Sequence, residues 1–454
     1  MSEPDTPNAA SAVVVGGGLA GSEAAWQLAE RGIQVVLYEM RPAATGAAHQ
    51  TDRLAELVCS NSFKSREHSS ATGQLKRELV TLGSLLMSVA EETAVPAGSA
   101  LAVDREAFAQ RVTERIEHHP DIIVLRQEAT SIPTDIHTIV ATGPLTSASL
   151  QSVLSGLIGK ERLAFFDAAA PIVDAEAIDM SAVFAASRYG KGGTADYLNI
   201  PLSREQYERF VSDLVAAERV TAKDFETADL FQACQPIEEV ARKGADALRF
   251  GPLKPVGLTD PQTGERPWAV VQLRAENMPR TAYNLVGFQT NLTYAAQKQV
   301  FRRLPGLGDV EFLRFGVMHR NTFVDAPRLL DATLALHSHP KIRLAGQVTG
   351  TEGYSEAVGT GLLAALNTAS AISDGRRIVL PRTTALGSLV AYATNPHTGP
   401  YQPMHVNWGL VSPLPEKVRN RRSRYERYAA RAQQDLEDYL QDAACPIGPE
   451  KRHA

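Results

Sequence analysis

The sequence predicts an α/β protein whose Rossmann-like dinucleotide-binding domain is split in the chain by an inserted α/β or α+β domain. Three observations lead there. Residues 12 to 39 spell a complete βαβ unit, the same grammar returns at 342 to 366, and the stretch from about 160 to 335 between them differs in character from both.

The opening unit is the most constrained. An apolar run, Ala12 to Val15, meets Gly16-x-Gly18-x-x-Gly21; a helical pattern follows from Ser22 to Arg31, and a second apolar run closes on Glu39. Gly16 allows the tight turn, Gly18 lets the backbone approach a pyrophosphate, and Gly21 lets the helix lie against the strand. The helix N-terminus then faces the phosphates with its dipole in their favour. Glu39 stands at the end of the second strand, where a carboxylate can accept the ribose hydroxyls of a cofactor's adenosine. This unit alone leaves the dinucleotide open, but its place at the start of the chain and two later segments favour FAD.

Composition sets the outer bounds. A chain of 454 residues, 44% of them hydrophobic, suffices for two or three globular domains. With 46 basic and 51 acidic residues the net charge is -5, so any nucleic-acid partner must be met by a local patch. No run of 18 apolar residues occurs and the start, MSEPDTPNAAS, is polar, so a soluble cytoplasmic protein with no membrane association is expected. Cys59, Cys234 and Cys445 are too scattered for a disulfide framework or a zinc site, and no metal is expected.

Taken in order, residues 42 to 74 are polar and rich in Gly, Ala and Ser around LAELVCSNS, and such a segment is expected to cross the cofactor. Cys59 precedes Ser60, Asn61 and Ser62, a cluster typical of caps and turns. It reads either as a thiol activated near a helix N-terminus or as a small buried hydrophobe. Leu75 to Ala90 and Asp104 to His118 have helical spacing, with Asp104 at the start of the second; IIVLRQE and HTIVATG read as strands, the latter ending at Gly143 where a sheet edge would abut the dinucleotide. In the insertion, Cys234 precedes Pro236 and the basic residues Arg242, Lys243, Arg249 and Lys254; it reads either as a thiolate stabilised by positive neighbours or as a structural cysteine. His319 and Arg320 follow in MHRN. At 342 to 366 a strand ends at Gly346, a Gly/Thr loop carries Glu352 and Gly353, and a helix begins near Glu356, pointing at the flavin or pyrophosphate. The aromatic, Pro-rich 395 to 415 segment suits a cover loop, and the last helix carries a run of Lys and Arg between 417 and 431 that is either a solvated face or a phosphate contact. The expected domains are 1–160, 161–335 and 336–454.

GGGLAGSEAAWQLAERG, YEMRP, AELVCSNS, AVPAGSALAVDREAFA, CQPIEEVARKG with LRFGPLKPVGL, MHRNTFVDAP, AGQVTGTEGYSEA and YQPMHVNWGL occur here in the order of one family's motifs. The chain resembles the folate- and FAD-dependent tRNA (uracil-5-)-methyltransferases, the TrmFO family. The fold this implies is GidA-like, that of the FAD proteins that modify the tRNA wobble uridine, whose larger helical C-terminal domain has no counterpart in these motifs. The resemblance implies methylation of C5 of the T-loop uridine, with 5,10-methylenetetrahydrofolate as carbon donor and NAD(P)H supplying electrons through FAD; the T-arm of tRNA is the partner and no protein partner is required. It places the cofactor motif on Gly16, Gly17, Gly18, Leu19, Ala20 and Gly21, with Arg41 of YEMRP beside Glu39. It also places the two functional cysteines on Cys59 and Cys234. His405 and Trp408 depart from the family's usual Asn and Phe.

A thiolate is required because C5 of uracil becomes a nucleophile only after attack at C6. Cys234 is assigned to C6 and Cys59 to the flavin side; Tyr354, Glu352 and Glu356 are candidates for removing the C5 proton. Arg302, Arg303, Arg314, Arg320 and the 417 to 431 helix are candidates for phosphate contact around an exposed base. The same chemistry on a 23S rRNA uridine, a flavin oxidoreductase without RNA, and a flavin-containing RNA chaperone are the competing readings.

Overall fold

The computed structural model describes residues 11–44, 49–158, 162–168, 170–191, 194–220, 235–316, 318–373, 375–398 and 401–442, with 162–168 and 318–322 as backbone only. Strand β1 (Ala12–Val15) turns through Gly16 into α1 (Leu19–Ala29) and returns as β2 (Val35–Tyr38). All residues of β1 and β2 are buried, as a parallel sheet covered on both faces requires. A short antiparallel sheet follows: β3 (Ser62–Ser65), β4 (Ala94–Val95) and β5 (Ala100–Val103), in the order β3-β5-β4. Helices α2 (Ala71–Thr81) and α3 (Leu85–Glu92) interrupt it. The continuous helical spacing from Leu75 to Ala90 is therefore broken in the molecule. Gly83 turns the chain at φ +79°, and the Ser84 hydroxyl accepts the Met87 N–H to start α3 afresh.

After α4 (Arg105–Glu117), capped by Asp104, come β6 (Ile122–Leu125) and β7 (His137–Val140), then α5 (Ala148–Ile158). The chain leaves along β8 (Arg162–Ala168) and later returns along its antiparallel partner β15 (Met318–Val324). Between them β9 (Ile172–Asp174), β10 (Phe184–Ala185), β11 (Tyr197–Leu202), β12 (Ala269–Ala275), β13 (Ala282–Leu285) and β14 (Phe312–Arg314) form a six-stranded sheet, ordered β10-β11-β12-β13-β9-β14. Helices α6 (Arg204–Ala216), α7 (Ile237–Arg242), α8 (Ala247–Phe250) and α9 (Tyr294–Phe301) accompany it. This sheet has its own core, including Ile200, Phe210, Leu273, Leu285, Phe288 and Phe301.

Helix α10 (Ala326–Leu329) leads to β16 (Ile342–Leu344), which pairs parallel to β7 and completes the sheet β16-β7-β1-β2-β6. The closing helices are α11 (Tyr354–Ser373), α12 (Ala385–Thr394) and α13 (Arg421–Gln441). Helix α11 lies directly on α1: a Cβ at Gly361 would come within 2.2 Å of the Ala20 carbonyl oxygen, so only glycine permits that approach. Two buried glutamates lock helix starts in place. Glu23 accepts the N–H groups of Leu85 and Leu86, and Glu78 those of Ala385 and Leu386. Among the described residues no helix is long and apolar enough to cross a membrane.

Polar contacts join the three-stranded sheet to the six-stranded one. Asn61 donates to the carbonyls of Val103 and Ala275 and accepts from Arg274 Nε at 2.8 Å; Tyr197 donates to the Ala97 carbonyl at 3.1 Å.

Candidate active site

The C-terminal ends of the parallel strands open on one cleft, about 1020 Å³ with its mouth included. It is lined by Gly16–Ala20, Tyr38–Arg41, Gln127–Ala129, Ala141–Ser147, by Gly346, Gln347 and Gly353 after β16, and by Tyr354 and Ala357 of α11. The cleft lies at the topological switch point, because β1 has β2 on one side and β7 on the other. There Gly16, at φ +104°, passes so close to β7 that a Cβ would stand 2.7 Å from the Ala141 carbonyl oxygen. Gly21 stands behind the lining, where a Cβ would fall 1.8 Å from the Gly16 oxygen, whereas Gly18 has nothing within 4 Å of its Cβ position. Helix α1 has Gly18 as N-cap, with no side-chain cap and no acidic residue in its first turn, so its leading N–H groups are left to an anion.

Glu39, 5% exposed, accepts the Gly17 N–H at 3.0 Å with one oxygen and the backbone N–H and Nε of Arg41 at 3.0 and 2.8 Å with the other. Burial pushes its pKa up, but the hydrogen bonds and charge of Arg41 and the Gly17 N–H outweigh it, and the net shift is downward. Glu39 is thus a carboxylate at neutral pH. Arg41, 1% exposed, also bonds Glu56 at 2.9 Å and the Thr51 carbonyl at 3.2 Å, so it sits between two carboxylates that both line the cleft. His49, also on the lining, has a buried Nδ1 with no partner among the described residues; burial and then the charge of Arg41 lower its pKa.

Cys59 lies in the loop entering β3, away from the start of any helix in its own segment. The helix start that meets it comes from across the chain. The hydroxyl of Tyr354, first residue of α11, accepts the N–H groups of Cys59 at 2.9 Å and Ser60 at 3.0 Å. Burial and then the neighbouring Cys59 charge push the Tyr354 pKa upward. The group is a neutral phenol that organises the Cys59 loop, a poor proton acceptor in this state. Two guanidiniums hold the preceding carbonyls: Arg105 donates to Leu57 and Arg314 to Val58. Arg105 also bonds Glu276 through Nε at 3.0 Å and Nη2 at 2.8 Å. Burial works against the charge on both arginines. In Arg105, Glu276 and then Tyr354 and Cys59 reverse this and raise its pKa; in Arg314, burial and the charge of Arg105 prevail and lower it. Positive groups so placed favour a thiolate over a thiol.

The other expected residues are distributed as follows. Glu352 accepts Gln347 Nε2 at 2.6 Å; Glu356, 1% exposed, accepts the Val406 N–H at 3.2 Å and lies 3.7 Å from Lys64 Nζ. The cover segment bonds the same loop, Met404 donating to the Gly350 carbonyl and Glu352 to the Met404 carbonyl. His405 and Trp408 lie in this segment outside the cleft lining, with Trp408 stacked on Tyr428 at 5.4 Å. Arg302 is spent on the Val310 carbonyl, and Arg303 pairs with Asp213 at 2.7 Å. On α13, Arg427 pairs with Glu416, Arg422 with Glu426 at 3.0 Å, and Arg431 donates to the Pro413 carbonyl, whereas Arg421 and Arg424 lie over the Tyr425 ring. Cys234 and Cys445 lie outside the described residues, as do the side chains of His319 and Arg320.

Sequence reasoning missed His49, Gln127–Ala129, Leu145–Ser147, Arg105 and Glu276. Gln127 and Leu145 follow apolar strands closely and could have been found by placing every strand end of a parallel sheet on one edge. Arg105 and Glu276 are 171 residues apart and carry no local signal of their pairing.

These residues fit a dinucleotide such as FAD: an open glycine turn at an uncapped helix start for the pyrophosphate, an ionised Glu39 at the end of β2, and an unpaired imidazole nitrogen on the lining. The family model described as glucose inhibited division protein A matches residues 11–376. The chain is 53% identical over 427 residues, 94% of its length and 98% of the relative's, to methylenetetrahydrofolate--tRNA-(uracil-5-)-methyltransferase TrmFO of Geobacter sulfurreducens. It is 50% identical, with the same coverage, to the protein of that name from Anoxybacillus flavithermus. Among solved structures, Aquifex aeolicus GidA shares the fold at a TM-score of 0.70 and 16% identity, covering 98% of this chain and 76% of that one.

Proposed function

The chain belongs to the GidA family and, within it, to the TrmFO methyltransferases, and on that premise we propose that it transfers a one-carbon unit from 5,10-methylenetetrahydrofolate to C5 of the T-loop uridine of tRNA, with FAD as cofactor and NAD(P)H as reductant. Near-full-length identity to relatives so named carries the reading, and the Cys59 loop at the rim of the cleft supports it. The relatives' names favour neither the ribosomal RNA substrate nor a flavin oxidoreductase without RNA.

The chemistry asks for one thiolate and a proton acceptor. A thiolate attacking C6 of uracil moves the electron pair to the C5–C4–O4 enolate, so that C5 can take up a carbon at the formaldehyde level as the C–N bonds of the methylene donor break and tetrahydrofolate leaves. Reduction of that carbon to methyl takes two electrons, which bound FAD would relay from NAD(P)H. Loss of the C5 proton to a base and expulsion of the thiolate restore the pyrimidine. We assign the attack on C6 to Cys234. Cys59 acts on the cofactor side, with Arg105 and Arg314 stabilising its thiolate and Tyr354 fixing its backbone. Glu352 and Glu356 are the proton acceptors we favour, because Tyr354 is held as a neutral phenol.

The test is incubation of the purified flavoprotein with unmodified tRNA, labelled methylenetetrahydrofolate and NAD(P)H. Labelled 5-methyluridine on nucleoside analysis is expected; flavin reduction with unlabelled tRNA would contradict the reading.

A further inference from the structure

The cofactor cleft does not account for an aromatic ladder on the insertion. Tyr294, the first residue of α9, stacks on Phe315 with centroids 4.6 Å and planes 17° apart; Phe315 stacks on Phe312 at 5.2 Å and 11°. Phe312 leans on Phe301 of the core at 6.5 Å. The ladder therefore climbs from a fully buried ring to one that is 54% exposed. Interior pairs such as Phe63–Phe108 and Phe288–Phe301 meet edge-on, at 63° and 74°, and so enclose each other's faces. The parallel ladder instead leaves stacking surface at its solvent end. Lys298, one helical turn after Tyr294, holds its Nζ 5.5 Å from the Phe315 centroid and makes no ion pair among the described residues.

The ladder is tied to the reacting region. Arg314 stands between Phe312 and Phe315 in the chain and donates to the Val58 carbonyl next to Cys59. We propose that Tyr294, backed by Phe315, forms a platform on which an unpaired base of the tRNA loop, neighbour to the methylated uridine, stacks, with Lys298 contacting its phosphate. This rests on the tRNA reading above. Extruding one base from a folded loop strips its neighbour of a stacking partner, and a fixed aromatic face replaces the lost contact without demanding a particular base.

The test uses Tyr294→Ala in the full-length flavoprotein. Tyr294 is exposed at a helix start, so flavin content and thermal midpoint are expected to stay at wild type. The KM for tRNA and the Kd for a T-arm hairpin should each rise about 10-fold, while flavin reduction by NAD(P)H is unchanged. Tyr294→Trp restores both, and Lys298→Gln lowers the salt slope of hairpin binding by about one. Wild-type KM and Kd in both Tyr294→Ala and Phe315→Leu would overturn the platform. A wild-type protein that makes no 5-methyluridine would instead sink the functional reading, and the hairpin titration reports on the platform independently of turnover.

Discussion

Arg105→Ala should destabilise the protein by about 3–5 kcal/mol, the loss expected when one partner of a buried ion pair is removed. The side chains of Arg105 and Glu276 are 15% and 7% exposed, so water screens the pair little. The substitution removes two bonds to one Glu276 oxygen, at 3.0 and 2.8 Å, and a third to the Leu57 carbonyl. The other Glu276 oxygen is already buried without a partner, so the whole carboxylate would be stranded between the three-stranded and six-stranded sheets. Arg105→Met combined with Glu276→Leu removes both charges and is expected to lie within about 2 kcal/mol of wild type, well short of the sum of the single changes. Urea unfolding followed by flavin release and tryptophan fluorescence reads this cycle. A loss below about 1 kcal/mol in Arg105→Ala, or simple additivity in the double variant, would refute the reasoning.

Three further outcomes are expected. Gly21→Ala forces a Cβ to 1.8 Å from the Gly16 oxygen, a backbone atom that cannot swing aside, and the protein should purify without flavin, as its visible spectrum would show. Burial lowers the Lys76 pKa from 10.5 to about 8, so the unfolded chain binds the extra proton between those values. The stability present above pH 10.5 is therefore lost as pH falls through 8, and Lys76→Met should flatten the alkaline limb of the stability profile. Glu78 runs the opposite way: burial raises its pKa from 4.5 to about 7, against the N–H bonds of Leu386 and Ala385, so its contribution is fullest below pH 4.5 and is lost as pH rises through 7. Glu78→Gln should remove that slope, whereas Glu78→Ala strands the two N–H groups and lowers stability by about 2 kcal/mol or more at every pH.

Much of the cofactor cleft was legible because its parts are local. The glycine turn, the strand before it and Glu39 fall within one βαβ unit; Gly16 and Gly21 are required by close backbone approaches, whereas Gly18 faces open space. The loop of Glu352 and Gly353 was readable for the same reason, as a small-residue turn between a buried strand and a helix. The setting of Cys59 was not legible. Its caplike Ser and Asn neighbours suggest a helix start nearby in sequence, but the helix that meets it is α11, reached through a Tyr354 hydroxyl 295 residues away. The basic residues were readable by position but not by use: Arg302, Arg303 and Arg314 all look like free cations in sequence, and all three are engaged by carbonyls or a carboxylate in the fold. Gly83 is the reverse case, a local break signal that helical spacing on both sides conceals.

The account stands on a sulfur from the inserted segment attacking the same uridine that the flavin-side thiol faces. Tryptic mapping of the protein after incubation with tRNA carrying 5-fluorouridine in the T-loop, plus folate and NAD(P)H, measures this directly. A nucleotide adduct on the peptide containing Cys234, absent from Cys234→Ser and retained in Cys59→Ser, is expected. An adduct carried by Cys59, or one that persists in Cys234→Ser, would contradict the account.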